Sequence, residues 1–108
     1  MERQSFSDAH VISQKRATKA LIKFCEDHGY DVDGVEDLRA CLKSLEHANI
    51  EFAVSAYLRI PIGGMGRFDD WLPPAVFSHE TPEYSRAVFE ALVTQWGLLM
   101  KLSLPNSD

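Results

Sequence analysis

Residues 60–74, which read IPIGGMGRFDDWLPP, constrain this chain most because they interrupt two long stretches of helical periodicity. Pro61 disfavours helix in the residue before it, so a helix that reaches this stretch must stop there. Three glycines within four residues allow positive φ angles, or the close approach of another group, as few other residues do. The three are Gly63, Gly64 and Gly66. The stretch is therefore predicted to be an irregular loop between helices.

Four helices are predicted on the two sides of this loop, from the spacing of apolar residues at three and four positions. Their predicted ranges are residues 5 or 7 to 28, 33 to 48, 50 to 60 and 82 to 103. No strand pattern competes, and no second copy of the middle helices appears. At 108 residues the chain is predicted to be one all-α domain, a four-helix bundle-like fold with a Gly/Pro-rich loop between helices 3 and 4.

Residues that cap helices mark where these helices begin. Asp33 followed by Glu36 has the spacing of a capping box, and Asn49 is placed to close helix 2 and cap helix 3. Thr81 is a favourable N-cap because Pro82 occupies the first helical position after it. These signals predict short connections within the first half of the chain, where helices 1 and 2 form an antiparallel hairpin.

Gly29 is predicted to end helix 1 in the left-handed conformation, with Tyr30 packed back on the last turn. His28, on the apolar side of that turn, is interpreted as a core histidine satisfied by a neighbour.

The predicted burial of the helices is uneven. Helix 2 has a clean apolar face that extends to Ala48, and helix 3 has so few polar positions that we expect it to be mostly buried. The apolar residues of helix 4 sweep about 240°, against the roughly 100° that a surface helix needs. Helix 4 is therefore either the central helix of the bundle or part of a homodimer contact. The dimer interpretation uses Phe89, Val93, Trp96 and Met100.

Charge and hydropathy limit the classes of partner. The net charge of −5 argues against general nucleic-acid binding, which needs basic side chains to neutralise phosphates. No apolar run reaches the roughly 20 residues of a membrane span, so no membrane partner and a cytoplasmic location are expected. Residues 26–51 carry eight acids against Arg39 and Lys43. They are either solvated helix faces or a docking surface for a basic protein partner.

Cysteine and histidine spacing does not predict a metal site. Cys25, His28, Cys41 and His47 resemble zinc-finger spacing superficially, but Cys41 and His47 point to different sides of one helix. Both cysteines are interpreted as small apolar core residues, and no disulfide, metal or cofactor is expected.

The loop itself supplies the candidate ligand-binding or partner-binding residues. They are Gly63, Gly64, Gly66, Arg67, Asp69, Asp70 and Trp71. Successive glycine amides can form an anion-binding nest with Arg67 as the counter-charge, and the Asp69/Asp70 pair can in principle support hydrolysis. No catalytic residue is assigned, because no Ser-His-Asp, Cys-His or P-loop pattern is present. The structural alternative is that the glycines turn the chain while Trp71 and Phe68 plug the end of the bundle.

Residues 47–73, HANIEFAVSAYLRIPIGGMGRFDDWLP, resemble a pattern in small bacterial helical proteins of uncharacterised function. In that pattern a short helix rich in Ala and Tyr leads into GGMG, followed by a small or polar residue, Phe or Leu, Asn or Asp, and an acidic or polar residue. Such proteins are similar to those found near secreted-toxin loci, so the resemblance implies a toxin-neutralising role. It covers a quarter of the chain and brings no catalytic residues with it.

The function predicted from the sequence is a non-catalytic helical binding protein, an immunity-type or regulatory partner. The alternatives are a small-molecule or anion-binding protein that uses residues 63–67, and a hydrolase that uses Asp69 and Asp70.

If the glycine loop needs a special backbone conformation, Gly64→Ala should lower the free energy of unfolding by more than about 1 kcal/mol, because alanine is penalised at positive φ. Chemical denaturation of the two proteins measures this difference. An unchanged midpoint would remove the argument for a special backbone at this position.

Overall fold

Four α-helices and their connections form the part of the chain that the structure describes. This structure is a computed structural model, and the residues that it describes are 2–30, 33–60 and 71–103, with side chains from residue 9 in the first range and from residue 35 in the second. The helices are α1 (Glu2–Asp27), α2 (Asp33–Glu46), α3 (Ile50–Arg59) and α4 (Pro82–Lys101). The predicted all-α, four-helix bundle-like fold is confirmed, and no strand occurs among the described residues.

Helix α1 lies between α2 and α4, and α3 packs mainly on α2. Polar contacts near the two ends of α4 show that α1 and α4 are antiparallel. The Gln14 amide in the first half of α1 donates to the carbonyl of Leu99, 2.9 Å away, while His28, just beyond α1, contacts Glu80, just before α4. An ion pair of 3.1 Å between Arg59 and Asp37 joins the end of α3 to the start of α2. These contacts set the helices in an up-and-down arrangement.

The end of α1 follows the sequence prediction. Gly29 has a φ of +83°, and the amide of Tyr30 donates to the carbonyl of Cys25 at 2.8 Å. This is the pattern of a glycine C-cap, in which the residue after the glycine closes the last turn. The start of α1 differs from the prediction, because the helix already begins at Glu2. The residues before Ser5 are good helix formers, so nothing in the sequence stops the helix there.

The sequence predicted that Asn49 both closes α2 and caps α3, but in the structure two different residues have these roles. Asn49 caps α3 as predicted, since its side chain accepts from the amide of Phe52 at 3.3 Å. The residue that closes α2 is Ala48, a non-glycine residue with a φ of +57°. The amide of Asn49 donates to the carbonyl of Ser44 at 2.7 Å, which fixes this conformation. Ala48 is exposed, so its predicted place on the apolar face of α2 is wrong.

The N-cap predicted for α4 is confirmed. The hydroxyl of Thr81 accepts from the amide of Tyr84 at 3.1 Å, and Pro82 occupies the first helical position. At the other end the helix stops at Lys101, two residues before the predicted end.

The core is apolar and includes both thiols. Cys25 and Cys41 are fully buried and unbridged, as predicted. Burial raises the pKa of Cys25 to about 12 and that of Cys41 to about 11, so both thiols are protonated at neutral pH. A thiol in this form is a poor nucleophile and a poor metal ligand. Both cysteines therefore act as packing residues.

Two burial predictions are wrong. Helix α3 is not mostly buried, because Phe52 and Leu58 are 65% and 64% exposed. The surface predicted for a homodimer is internal core, where its four members are at most 5% exposed. They are Phe89, Val93, Trp96 and Met100. The first explanation of the wide apolar arc, that α4 is a core helix, therefore accounts for these four residues.

The strained turn at Ala48 yields a stability prediction. A left-handed conformation costs a residue with a Cβ about 1–2 kcal/mol, and the greater freedom of glycine in the unfolded chain offsets part of the relief. We expect Ala48→Gly to raise the free energy of unfolding by about 0.5–1 kcal/mol. The control is Ala20→Gly, at an exposed position inside α1, which should lower it by about 1 kcal/mol. Urea denaturation checks both, and an equal loss in the two variants would contradict the assignment.

Candidate functional site

The connection that leads into α4, residues 71–80, has an irregular backbone that is fixed to the bundle at both ends. We call it the anchored segment. At its start the Trp71 ring stacks on Tyr30, with ring centroids 4.2 Å apart, and meets Phe89 edge-on at 5.0 Å. Phe24 of α1 lies at 6.2 Å from the same ring. Aromatic packing with three neighbours therefore holds the first residue of the segment against α1 and α4.

Glu80 anchors the other end. One carboxylate oxygen of Glu80 accepts hydrogen bonds from the amides of Val76 and Phe77, at 2.8 and 3.0 Å. The second oxygen is 2.8 Å from Nε2 of His28. The side chains of His28 and Glu80 are only 3% and 6% exposed. One carboxylate thus closes a turn in the segment and joins that turn to the end of α1.

Both ring nitrogens of His28 face oxygen atoms that accept hydrogen bonds. Its Nδ1 lies 2.8 Å from the carbonyl oxygen of Phe24, and its Nε2 lies 2.8 Å from a carboxylate oxygen of Glu80. The ring also stacks on Phe24, with centroids 3.9 Å apart.

The pKa of Glu80 reflects competing effects. Burial acts to raise the pKa of this carboxyl, but the amides of Val76 and Phe77 and the ring of His28 outweigh it and lower the pKa to about 2. The ionised form is thus held by several donors. Because the two amides and the His28 ring are already engaged with the carboxylate, neither His28 nor Glu80 is placed to exchange a proton with a substrate. The pair fits a structural role.

Between its two anchors the segment exposes large apolar side chains. Leu72 is 65% exposed, Val76 49% and Phe77 45%. His79 lies between Phe77 and Tyr84, with ring centroids 6.1 and 5.6 Å away. We call Leu72, Val76 and Phe77 the apolar ridge. Three exposed apolar side chains within six residues of one anchored segment favour a contact surface, whereas single ones are ordinary.

The predicted acidic region is partly neutralised by basic side chains. Arg39 contacts Glu26 and Glu36 at 3.0 and 2.6 Å. Arg59 pairs with Asp37, as described above, and Lys23 with Asp27 at 3.2 Å. These are exposed or half-buried pairs, which contribute little to stability. The region is therefore a mixed-charge surface with an acidic excess rather than a uniform acidic patch.

Of the residues predicted to bind a ligand or partner, Trp71 is the one in the described part of the chain. Its half-buried ring packs at the end of the bundle, which agrees with the Trp71 part of the structural alternative, while Phe68, the other residue of that prediction, lies outside the described residues. The other six lie outside the described residues, and their proposed roles in anion binding or hydrolysis stay predictions. They are Gly63, Gly64, Gly66, Arg67, Asp69 and Asp70.

The sequence predicted a satisfied His28 correctly but missed its partner. His28 and Glu80 are 52 positions apart, and no local pattern indicates that they meet. Glu80 stands beside a helix cap, where an acid is ordinary, so its role depends on tertiary structure alone.

Other kinds of site receive no support from the described residues. In the described ranges no three His, Cys, Asp or Glu side chains are grouped as a metal site requires. None of the described helices has the length and apolar character needed to cross a membrane. No family model, curated protein or solved structure matches this chain.

The pKa of Glu80 gives a pH-dependent prediction. A carboxyl whose pKa is lower in the folded state stabilises the fold above its unfolded pKa, and this contribution is lost as the pH falls through the folded pKa. Glu80→Gln should therefore lower the denaturation midpoint at pH 7. The deficit should shrink as the pH falls from about 4.5 to about 2, where wild-type Glu80 becomes protonated.

The matched control is Glu46→Gln, which changes an exposed acid at the end of α2. Its midpoint should follow the wild type across the same pH range. A deficit for Glu80→Gln that stays constant down to pH 2 would show that the carboxylate charge does not stabilise the fold.

Proposed function

We propose that this chain is a non-catalytic binding protein, an immunity-type or regulatory partner, that presents the apolar ridge to another protein. The observation that carries the proposal is the exposure of Leu72, Val76 and Phe77 on a backbone held at both ends. Irregular loops commonly carry function, and a loop that is already ordered loses less conformational entropy when it binds. A ridge of this kind suits recognition by a complementary apolar pocket.

The anchors of the segment support binding over catalysis. Trp71 and Glu80 direct their side chains into the bundle, and between them Pro73 is buried while residues 72 and 74–79 are exposed. The side chains of His28 and Glu80 are used to hold the segment. The chemistry present at this end of the bundle is therefore suited to contact rather than to proton transfer.

The proposed partner is a basic protein. The chain carries a net charge of −5, with 16 acidic against 11 basic side chains, so its surface keeps an acidic excess after the ion pairs described above. Complementary charge would speed association and make it sensitive to salt. The resemblance of residues 47–73 to proteins near toxin loci makes a secreted toxin the class of partner that we propose.

Photo-crosslinking in the native cells tests which surface binds. A benzoyl-phenylalanine replaces Phe77 in one variant and Phe52 of α3, also exposed, in the control. We expect a covalent adduct with a basic protein from position 77 only. Adducts from neither position, or equal adducts from both, would contradict the proposed surface.

Affinity for the captured partner then tests the ridge quantitatively. Leu72 and Leu58 are exposed to nearly the same extent, 65% and 64%, but only Leu72 belongs to the ridge. We expect Leu72→Ala to weaken binding about tenfold, the effect of a moderate contact residue, and Leu58→Ala to leave it unchanged. An equal effect of the two substitutions would overturn the assignment.

A further inference from the structure

Helix α4 has a second apolar face, opposite the face that packs in the core. At 100° per residue, Leu98 lies about 180° from buried Phe89, and Ala87 and Ala91 lie within about 20° of Leu98. All three are exposed, Leu98 by 60%. The apolar arc of α4 is too wide for one face, and this exposed face is the part of the arc that does not pack in the core.

The exposed face has the spacing of a helix-pairing seam. Its residues follow one another at intervals of three, four, three and four positions, the repeat on which two helices pack along their length. They are Tyr84, Ala87, Ala91, Thr94 and Leu98. An open groove of about 660 Å³ runs along this side of α4 and is lined by Ala87, Ala91 and Leu98 among others. Small side chains in the groove allow another helix to approach closely.

The face is complementary to itself when two copies are placed antiparallel. We propose that this exposed face binds α4 of a second copy about a two-fold axis. The axis crosses α4 at the level midway between Leu92 and Val93. In this register residue i faces residue 185 − i, since the two helices run in opposite directions. Leu98 then packs on Ala87 of the second copy, and Thr94 faces Ala91 of the second copy. Each large side chain thus meets a small one, as close packing requires.

The charges at the helix ends favour the same register. Glu83 and Lys101 lie on one flank of the exposed face, both about 120° from Phe89. In the antiparallel pair this flank meets the same flank of the second copy, where Glu83 lies one residue, about 1.5 Å, from the position that faces Lys101. The near pairing occurs twice because of the symmetry. On the opposite flank Tyr84 lies one residue from the position that faces Leu102 of the second copy, and these side chains are 43% and 56% exposed in the single chain.

A parallel pair would be less favourable. The flank of one helix that carries Glu83 and Lys101 would then lie beside the opposite flank of the other helix, so these two charges of different copies could not pair. Ala87 would face Ala87, which leaves space between the helices, while Leu98 would face Leu98. Charge and shape therefore select the antiparallel arrangement.

The first test is the state of association in solution. Sedimentation equilibrium at chain concentrations up to about 1 mM should show a dimer for the wild type. Leu98→Glu buries a charge in the seam and should weaken dimerisation at least about 30-fold without unfolding the chain, because Leu98 is exposed in the monomer. Leu58→Glu, at an equally exposed position of α3, is the matched control and should remain dimeric. A monomeric wild type, or a dimer that persists in Leu98→Glu, would overturn the proposal.

A second test measures the register. Ala87→Cys and Leu98→Cys are prepared separately, and the two native cysteines are buried and unbridged. Under mild oxidation an equal mixture should form the mixed disulfide in preference to either self-linked product. Self-linking of each variant alone would indicate the parallel arrangement and contradict the proposal.

A charge exchange provides an independent measure of the same pairing. Lys101→Glu and Glu83→Lys should each weaken the dimer, and the double variant should restore it. Failure of the double variant to restore association would refute the ionic pairing. These substitutions lie outside the apolar ridge, so the result is independent of the proposed partner binding.

Discussion

The contact between His28 and Glu80 determines how the two halves of the chain meet. It places a carboxylate from the segment before α4 against the end of α1, where both side chains are almost fully buried. A buried charge is tolerated only when its partners are supplied, and here two backbone amides and the ring of His28 supply them. Losing any partner would leave a charge in a poorly solvated place. The pair therefore imposes one position on the segment, which apolar packing alone does not do.

A second polar contact fixes the far end of the same helix pair. The Nε2 group of Gln14 donates both to the carbonyl of Leu99 and to the hydroxyl of Ser103, at 2.9 and 2.7 Å. Between the two polar contacts α1 and α4 meet through apolar side chains, which tolerate small shifts along the axis. Directional hydrogen bonds at both ends remove that freedom. The antiparallel register of α1 and α4 is thus set by polar groups and stabilised by apolar ones.

The sequence predicted those features that depend on neighbours along the chain. The left-handed Gly29 and the caps at Asn49 and Thr81 follow from local backbone chemistry, and all three were correct. Ala48 was missed because alanine has no intrinsic preference for a positive φ, and the surrounding turn imposes it.

Features that depend on tertiary structure were harder to predict from the sequence. Periodicity showed that α4 has an excess of apolar residues, but it did not show which side faces the core. Phe89 and Leu98 are both large and apolar, and the positions of α1 and of the Trp71 ring decide that the first is buried. The pairing of His28 with Glu80 has no local signal at all. In the candidate site, Trp71 was predicted correctly as a plug, whereas the apolar ridge was not singled out.

The two tryptophans lie in different parts of the structure, one in the core and one at the edge of the bundle. Trp96 is enclosed in the core and meets Tyr57 edge-on at 5.2 Å, whereas Trp71 is half-buried on Tyr30 at the edge of the bundle. Regions with fewer buried contacts open at lower free energy than the core does, as separate cooperative units. The intrinsic fluorescence of this protein is therefore a sum of two reporters. Loss of the Trp71 signal reports release of the anchored segment, and loss of the Trp96 signal reports global unfolding.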